Sequence, residues 1–160
     1  HGLIAAYRKI HLWGRETSFF SAGNRLVTAK TPFGKAGLHV CFDVSFPEPA
    51  RFSALDGAGL LLYTFAFANP KRRYAFDLLA RTRALENGCF VAASNLTGSE
   101  KDTHFFGGSK IIDPAGNVLA EMNEEEGVIM ASIDEELLKT TRMAYPYLER
   151  RRPDAYLFDR

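Results

Sequence analysis

Lys35-Ala36-Gly37-Leu38-His39-Val40-Cys41-Phe42-Asp43-Val44-Ser45-Phe46-Pro47-Glu48 is the stretch whose reading decides the fold. Its first half reads as a buried strand, with Leu38 and Val40 apolar and Gly37 at the entry. Its second half passes through Pro47 into a segment, 48–56, that reads as helix. Proline is tolerated in a first helical turn because the N–H it lacks would have had no partner there. In open α/β sheets, ligands bind in crevices outside the carboxyl ends of the strands. Cys41 sits at such an end, just before the turn into a helix. Two readings stand side by side: a small buried hydrophobe, which is what most free cysteines are, or a nucleophile. From this stretch alone the first is favoured.

Working outward, Arg25–Lys30 alternates as a strand does, and Thr31-Pro32-Phe33-Gly34 is its turn, so a hairpin into Gly37–Cys41 is expected. Further upstream, Gly2–Tyr7 has the length and apolarity of a strand that ends in the basic pair Arg8-Lys9. Downstream, Gly57 suits a left-handed helix C-cap, and Leu60–Phe65 is a continuous apolar run, the signature of a strand covered on both faces. Asn69-Pro70 marks a helix start, with Gly88 as its stop. Helical spacing puts Ala75, Leu78, Leu79, Thr82 and Leu85 on its buried face. Cys89–Ser94 reads as a strand, and Lys110–Asp113, Pro114-Ala115-Gly116 and Asn117–Ala120 as a hairpin. Gly127–Ile133 reads as a last strand, and Asp134 as the N-cap of a short helix to about Arg142. The tail from Tyr145 to Arg160 has no periodicity and reads as an extended arm. Strands and helices in this order specify α/β (α+β) architecture, with helices covering a mixed sheet.

A chain of 160 residues with 46% hydrophobic content can build one domain with a real core. A formal charge of +1 gives no electrostatic reason to expect nucleic acid or an anionic membrane as partner. No apolar run approaches the roughly 20 residues that span a bilayer. Two cysteines, Cys41 and Cys89, both inside apolar strand-like runs, suit reduced thiols in a cytoplasmic protein better than a disulfide framework.

A thiol with an ordinary pKa near 8.5 is mostly protonated at pH 7. To act as a nucleophile it needs a nearby cation or a base. Lys9, at one strand end, would meet Cys41, at another, if the two strands were neighbours; a lysine there stabilises an oxyanion formed by attack on a carbonyl. Equally, Arg8 and Lys9 read as a solvated strand end. His11 and His39 offer a Cys–His alternative, although His39 lies two residues before Cys41, roughly 6–7 Å away by strand geometry. No Cys/His spacing matches a zinc site, Gly107-Gly108-Ser109 lacks the spacing of a phosphate loop, and no cofactor is expected.

Taken together in order, these residues resemble the nitrilase (carbon–nitrogen hydrolase) superfamily, in its amidase-like branch. The resemblance rests on Tyr7-Arg8-Lys9-Ile10-His11-Leu12-Trp13, Glu16 with Phe20-Ser21-Ala22-Gly23, and Cys41-Phe42-Asp43 with Phe46-Pro47-Glu48. It continues through Arg83-Ala84-Leu85-Glu86-Asn87, Asn95–Glu100, Asp113-Pro114-Ala115-Gly116 and Arg151–Tyr156. It implies an αββα sandwich with mixed sheets, paired with another subunit into a homo-oligomer, and a Glu–Lys–Cys catalytic set. By motif the nucleophile is Cys41, the lysine is Lys9, and Glu16 resembles the family's second glutamate. The resemblance implies hydrolysis of a non-peptide carbon–nitrogen bond in a small amide or carbamoyl substrate, through a cysteine thioester. Phe42 stands where members acting on nitriles carry Trp, which favours the amide reading. Ser45 stands where many relatives carry a charge. The family's general-base glutamate belongs to a motif upstream of the Tyr-Arg-Lys segment, and no such motif occurs here. The expectation is therefore a single domain over 1–160, N-terminally incomplete, resembling the C-terminal two-thirds of the family's domain and inactive as it stands. The alternative is a non-catalytic relative serving as an assembly or binding module.

Overall fold

The structure, a computed structural model, describes residues 2–156. The hairpin that leads into the deciding stretch is formed by β1 (Thr28–Thr31) and β2 (Gly34–Val40), antiparallel, with Thr31 opposite Gly34 across the turn. β2 then lies parallel to β3 (Leu60–Phe65), Ala36 opposite Leu60 and Val40 opposite Thr64, and β3 lies parallel to β4 (Phe90–Asn95). After the β5–β6 hairpin (Thr97–Glu100, Thr103–Phe106), β7 (Lys110–Ile112) and β8 (Val118–Glu121) extend the sheet antiparallel. The result is a mixed six-stranded sheet in the order β1-β2-β3-β4-β7-β8, with β5–β6 as a separate ribbon. This is the expected α/β class.

Parallel neighbours need crossover connections, and here they are helical. Helix α1 (Pro47–Leu55) joins β2 to β3, and α2 (Arg73–Asn87) joins β3 to β4. Both pack on one sheet face: Ala50 and Ala54 of α1 and Phe76, Ala80 and Ala84 of α2 share a core with Leu61, Tyr63, Phe65, Val91, Ala93 and Ile112. The seat of α1 is set by a close approach, since a Cβ on Gly37 would lie 2.6 Å from the Ser53 Cβ. The punctuation read from the sequence is where it was expected. Gly57 and Gly88 have positive φ (90° and 54°), the Asn69 side chain accepts from the Lys71 N–H, and Asp134 caps α3 (Glu135–Ala144) by accepting from the Glu136 N–H.

Several expectations are corrected. The buried stripe of α2 is Phe76, Ala80, Arg83, Ala84 and Asn87, not the face through Leu78 and Leu85, which are exposed. Leu60–Phe65 is not covered on both faces among the described residues: Leu61, Tyr63 and Phe65 are buried, Leu60 and Leu62 half-buried, and Thr64 exposed. Gly2–Tyr7 and Gly127–Ile133 are not strands. Both lack a strand partner among the described residues, which leaves Leu3, Val128 and Met130 88%, 83% and 86% exposed. The β5–β6 hairpin carried no expectation at all. Of the expected C-terminal arm, Tyr145–Tyr156 is described, with a short 3-10 turn at Pro153–Ala155, and 157–160 lie outside the described residues.

Candidate active site

At the carboxyl end of β2 the chain leaves the sheet through a one-turn 3-10 helix, Cys41–Ser45, before α1 begins. Cys41 opens that turn with φ 46°, in the left-handed region that non-glycine residues rarely occupy. Such backbone persists only where the surroundings over-determine it, and it concentrates at functional sites.

Two side chains hold the turn. Asp43, fully buried, accepts from the Val40 N–H at 3.0 Å, closing the turn on its own strand. The same carboxylate accepts from the Tyr7 hydroxyl (2.8 Å) and the His11 N–H (3.1 Å), and His11 Nδ1 lies 2.9 Å from it. Burial, together with the bond donated to Asp43, pushes the Tyr7 phenol well above its ordinary pKa. On the other side, the buried Arg83 of α2 donates from Nε to the Val44 carbonyl at 3.0 Å, and its guanidinium pairs with Glu86. Thus one carboxylate fastens segment 7–11 to the cysteine turn, and one guanidinium fastens that turn to α2.

Lys9 lies within the fastened segment. Its carbonyl accepts from the Gly23 N–H at 2.7 Å, and Gly23 approaches so closely that a Cβ would sit 2.0 Å from the Arg8 carbonyl oxygen. The Lys9 ammonium donates to Glu16 at 2.7 Å, and the same carboxylate oxygen accepts from the Trp13 N–H at 2.7 Å. Burial works to raise the Glu16 pKa, but these two donors outweigh it and hold the carboxyl below its ordinary value. Trp13 then spans the site, its ring lying 4.7 Å from that of Phe42.

The expected geometry, Lys9 and Cys41 on neighbouring strands, is corrected in one respect. Lys9 belongs to an extended segment outside the sheet, brought to the turn by Asp43 rather than by strand pairing. Lys9 and Glu16 meet directly, while Cys41 faces a separate cavity of about 290 Å³ with Trp13, Phe42, Ser45, Phe67 and Arg72 on its walls. That is at the lower end of ligand-pocket volumes, roughly 300–1,000 Å³. Asn95, at the carboxyl end of β4, fixes the Phe67 wall by accepting from the Phe67 N–H at 2.8 Å and donating to the Gly107 carbonyl at 2.7 Å. The cavity therefore lies outside the carboxyl ends of the parallel strands β2 and β3.

The Cys–His alternative loses its partners. His39 is buried, stacked on Tyr63 (4.6 Å) with Nε2 3.3 Å from the Ser53 hydroxyl, and burial pushes its pKa down to about 4 against the opposing pull of Asp43. His11 is held by Asp43 and stacks on Phe46 at 3.8 Å. Cys89 is at the other end of the sheet, buried, with the Arg142 guanidinium 3.1 Å from its sulfur, and burial pushes its thiol pKa up. Both cysteines are free. Among the described residues no three His, Cys, Asp or Glu side chains are grouped to hold a metal ion, and no helix is long and apolar enough to cross a membrane. Sequence reasoning assigned no role to Asp43, Arg83, Tyr7 or Arg72; the first three stood inside the quoted motifs, which was the only signal available.

Residues 2–143 match the carbon-nitrogen hydrolase family. The chain belongs to that family. It is 41% identical to a probable nitrilase of Schizosaccharomyces pombe over 96% of its own length and 57% of the relative's. It is 35% identical to an omega-amidase of Saccharomyces cerevisiae, over 96% and 56%. Among solved structures it superimposes with a TM-score of 0.83, at 32% identity, on a mutant amidase of Nesterenkonia sp. AN1, covering 96% of this chain and 55% of that one. That amidase carries the acetamide moiety of fluoroacetamide covalently on its active-site cysteine. The chain spans a little over half the length of these relatives.

Proposed function

We propose that this chain supplies the nucleophile and its electrostatic partner for hydrolysing the carbon–nitrogen bond of a small amide, with Cys41 as nucleophile, Lys9 stabilising the oxyanion and Glu16 positioning Lys9. The observation that carries the reading is Cys41 itself: a strained, left-handed residue at a strand's carboxyl end, facing a small cavity and fastened through Asp43 to the segment that bears Lys9.

In this reading the Cys41 thiolate attacks the amide carbonyl carbon, forming the S–C bond and placing negative charge on the carbonyl oxygen. A preorganised cation near that oxygen is worth about 10²–10³ in rate. Collapse of the tetrahedral species breaks the C–N bond, the nitrogen leaves as ammonia or an amine after taking a proton, and a thioester stays on Cys41. Water then hydrolyses it to the acid and returns the thiol. A base must accept the thiol proton and later activate the water. The nearby carboxylates are already committed, Glu16 to Lys9 and Trp13, and Asp43 to Tyr7, His11 and Val40. The reading therefore assigns the base to a group beyond these residues, and acylation without sustained turnover to these residues alone.

The test mixes the chain with a small primary amide and follows both ammonia and acyl adducts by mass spectrometry. One acyl group on Cys41, absent from Cys41→Ala and formed at least tenfold more slowly in Lys9→Met, is expected. An adduct elsewhere, or none at all, overturns the reading.

A further inference from the structure

At the end of the sheet away from Cys41 lies another cavity, of about 300 Å³, to which amide hydrolysis gives no role. It forms where two helices end and the chain leaves a third. Leu55 and Asn87, the last residues of α1 and α2, line it together with Arg142 of α3 and the loop that follows. That loop is held by Leu148, which packs on the core, and by the Tyr145 N–H, which donates to the Thr141 carbonyl at 2.9 Å. The Tyr145 and Tyr147 rings stack at 6.0 Å and stay exposed beside the cavity. Three polar side chains on its walls have unused bonding capacity. Arg142 is fixed from Nε to the Gly88 carbonyl at 2.8 Å and from Nη2 to the Ala58 carbonyl at 2.7 Å, and among the described residues its Nη1 has no partner. Asn87 is buried and its Nδ2 donates to the Arg83 carbonyl at 2.9 Å, which sets the orientation of the amide and leaves Oδ1 with no donor among the described residues. Buried side-chain acceptors are nearly always satisfied, so such an oxygen calls for an explanation. Glu149 is exposed, and among the described residues no cation pairs with it. A simple anion would leave the two acceptors unmatched. A simple cation would suit the carboxylate and the negative ends of two helices but would meet the guanidinium. A molecule that carries a carboxylate, an ammonium and an apolar group matches all of them.

We propose that this cavity binds a free α-amino acid with an apolar side chain. The carboxylate accepts from Arg142 Nη1, the ammonium donates to Asn87 Oδ1 and Glu149, and the side chain packs against Leu55 and the stacked tyrosines. The site is separate from the one that Cys41 faces, and the proposal does not depend on the role given to Cys41.

The test is calorimetric titration of the full chain with three probes: L-leucine, 4-methylpentanoate, which is leucine without its ammonium, and 3-methylbutylamine, which is leucine without its carboxylate. Leucine is expected to bind at least about tenfold more tightly than either analogue, because each analogue lacks one charge-assisted pairing. Glu149→Gln, at an exposed position, should weaken leucine and the amine by about threefold, the modest effect of an exposed ion pair, and leave the acid unchanged. Arg142→Lys should weaken leucine and the acid and leave the amine unchanged. Arg142 also ties α3 to Gly88 and Ala58, so if its variant does not fold, the pattern in Glu149→Gln decides alone. No binding of leucine, binding no tighter than that of the analogues, or a Glu149→Gln variant that changes all three probes equally or none overturns the proposal. So does leucine binding that is lost in Cys41→Ala, which would place the ligand in the cavity at the other end of the sheet.

Discussion

Replacing Asp43 with asparagine changes one oxygen to an amide and keeps the volume, so its cost reads almost purely as hydrogen bonding. Oδ2 accepts from the Tyr7 hydroxyl and the Val40 N–H, and Oδ1 accepts from the His11 N–H, with His11 Nδ1 also 2.9 Å away. An asparagine must turn its NH₂ toward one set or the other. Toward Oδ2's partners, the tyrosine hydroxyl can reverse and accept, but the Val40 N–H faces a donor. Toward Oδ1's partners, the imidazole nitrogen can accept, but the His11 N–H faces a donor. In either orientation one backbone N–H is left without an acceptor at a site that is 0% exposed. An unsatisfied buried group costs about 1–3 kcal/mol, and the lost charge assistance adds to it. The relief of no longer burying a carboxylate offsets part of this. The expected loss is about 2–3 kcal/mol for Asp43→Asn and about 3–5 kcal/mol for Asp43→Ala, which strands every donor.

The assay is urea unfolding followed through Trp13, which reports on this region because its ring packs against Phe42. With a slope of about 2 kcal/mol per molar, the Asp43→Asn midpoint should fall by about 1 M. A double-mutant cycle with Tyr7→Phe should return a coupling of about 1 kcal/mol, since the two share a bond. A shift under about 0.5 kcal/mol in Asp43→Asn, with no coupling to Tyr7, would refute the view that this carboxylate joins segment 7–11 to the cysteine turn.

Three further outcomes are expected. His39 takes up a proton near pH 6.5 when unfolded and near 4 when folded, so the unfolded state binds more protons between those values and stability falls as pH drops through the window. The full gap corresponds to about 3 kcal/mol, and urea midpoints at pH 7.5 and 4.5 should differ less in His39→Gln than in the wild type; equal slopes would contradict the buried, neutral histidine. Gly37→Ala should destabilise by about 2–3 kcal/mol by overpacking, because the new Cβ would lie 2.5 Å from the Ser53 hydroxyl and 3.0 Å from His39 Nε2; an unchanged thermal midpoint would mean that α1 can lift off β2 without cost. Lys9→Met should slow acylation of Cys41 by about 10²–10³ while changing stability by less than about 1 kcal/mol; an unchanged acylation rate in a single-turnover measurement would remove Lys9 from the chemistry.

What the sequence disclosed follows from how local each signal is. The Asn69-Pro70 start, the Gly57 and Gly88 stops and the Asp134 cap were legible because a few adjacent residues fix those conformations. The buried face of α2 was not, because its stripe includes Arg83 and Asn87 while Leu78 and Leu85 face outward. Hydrophobic periodicity therefore points about one residue away from the true seam. Arg83 is inside because it has a buried carbonyl to bind, a reason no spacing displays. Gly2–Tyr7 and Gly127–Ile133 have strand composition, but a strand is defined by its neighbour, and pairing is a non-local fact. Lys9, Glu16 and Cys41 were named through an ordered set of motifs. How they are held together was invisible, since Asp43 reaches partners more than thirty residues away.

That last point bears on why the site is strained where it is. A left-handed conformation costs a non-glycine residue about 1–2 kcal/mol, and Cys41 adopts it because both ends of its turn are pinned, by Asp43 to the Val40 N–H and by Arg83 to the Val44 carbonyl. Glycine would fit that backbone without penalty, but it carries no thiol, so the strain is inseparable from the chemistry proposed for the position. The carboxylate that pins the cysteine also pins the segment bearing Lys9. The placements of Cys41 and Lys9 are therefore not independent: a change that loosens Asp43 should relax Cys41 and displace Lys9 together. A site assembled from separate loops would let either move alone. Here a single buried carboxylate sets both, so the two should rise and fall as one unit when acylation rates of Asp43 variants are compared with their stabilities.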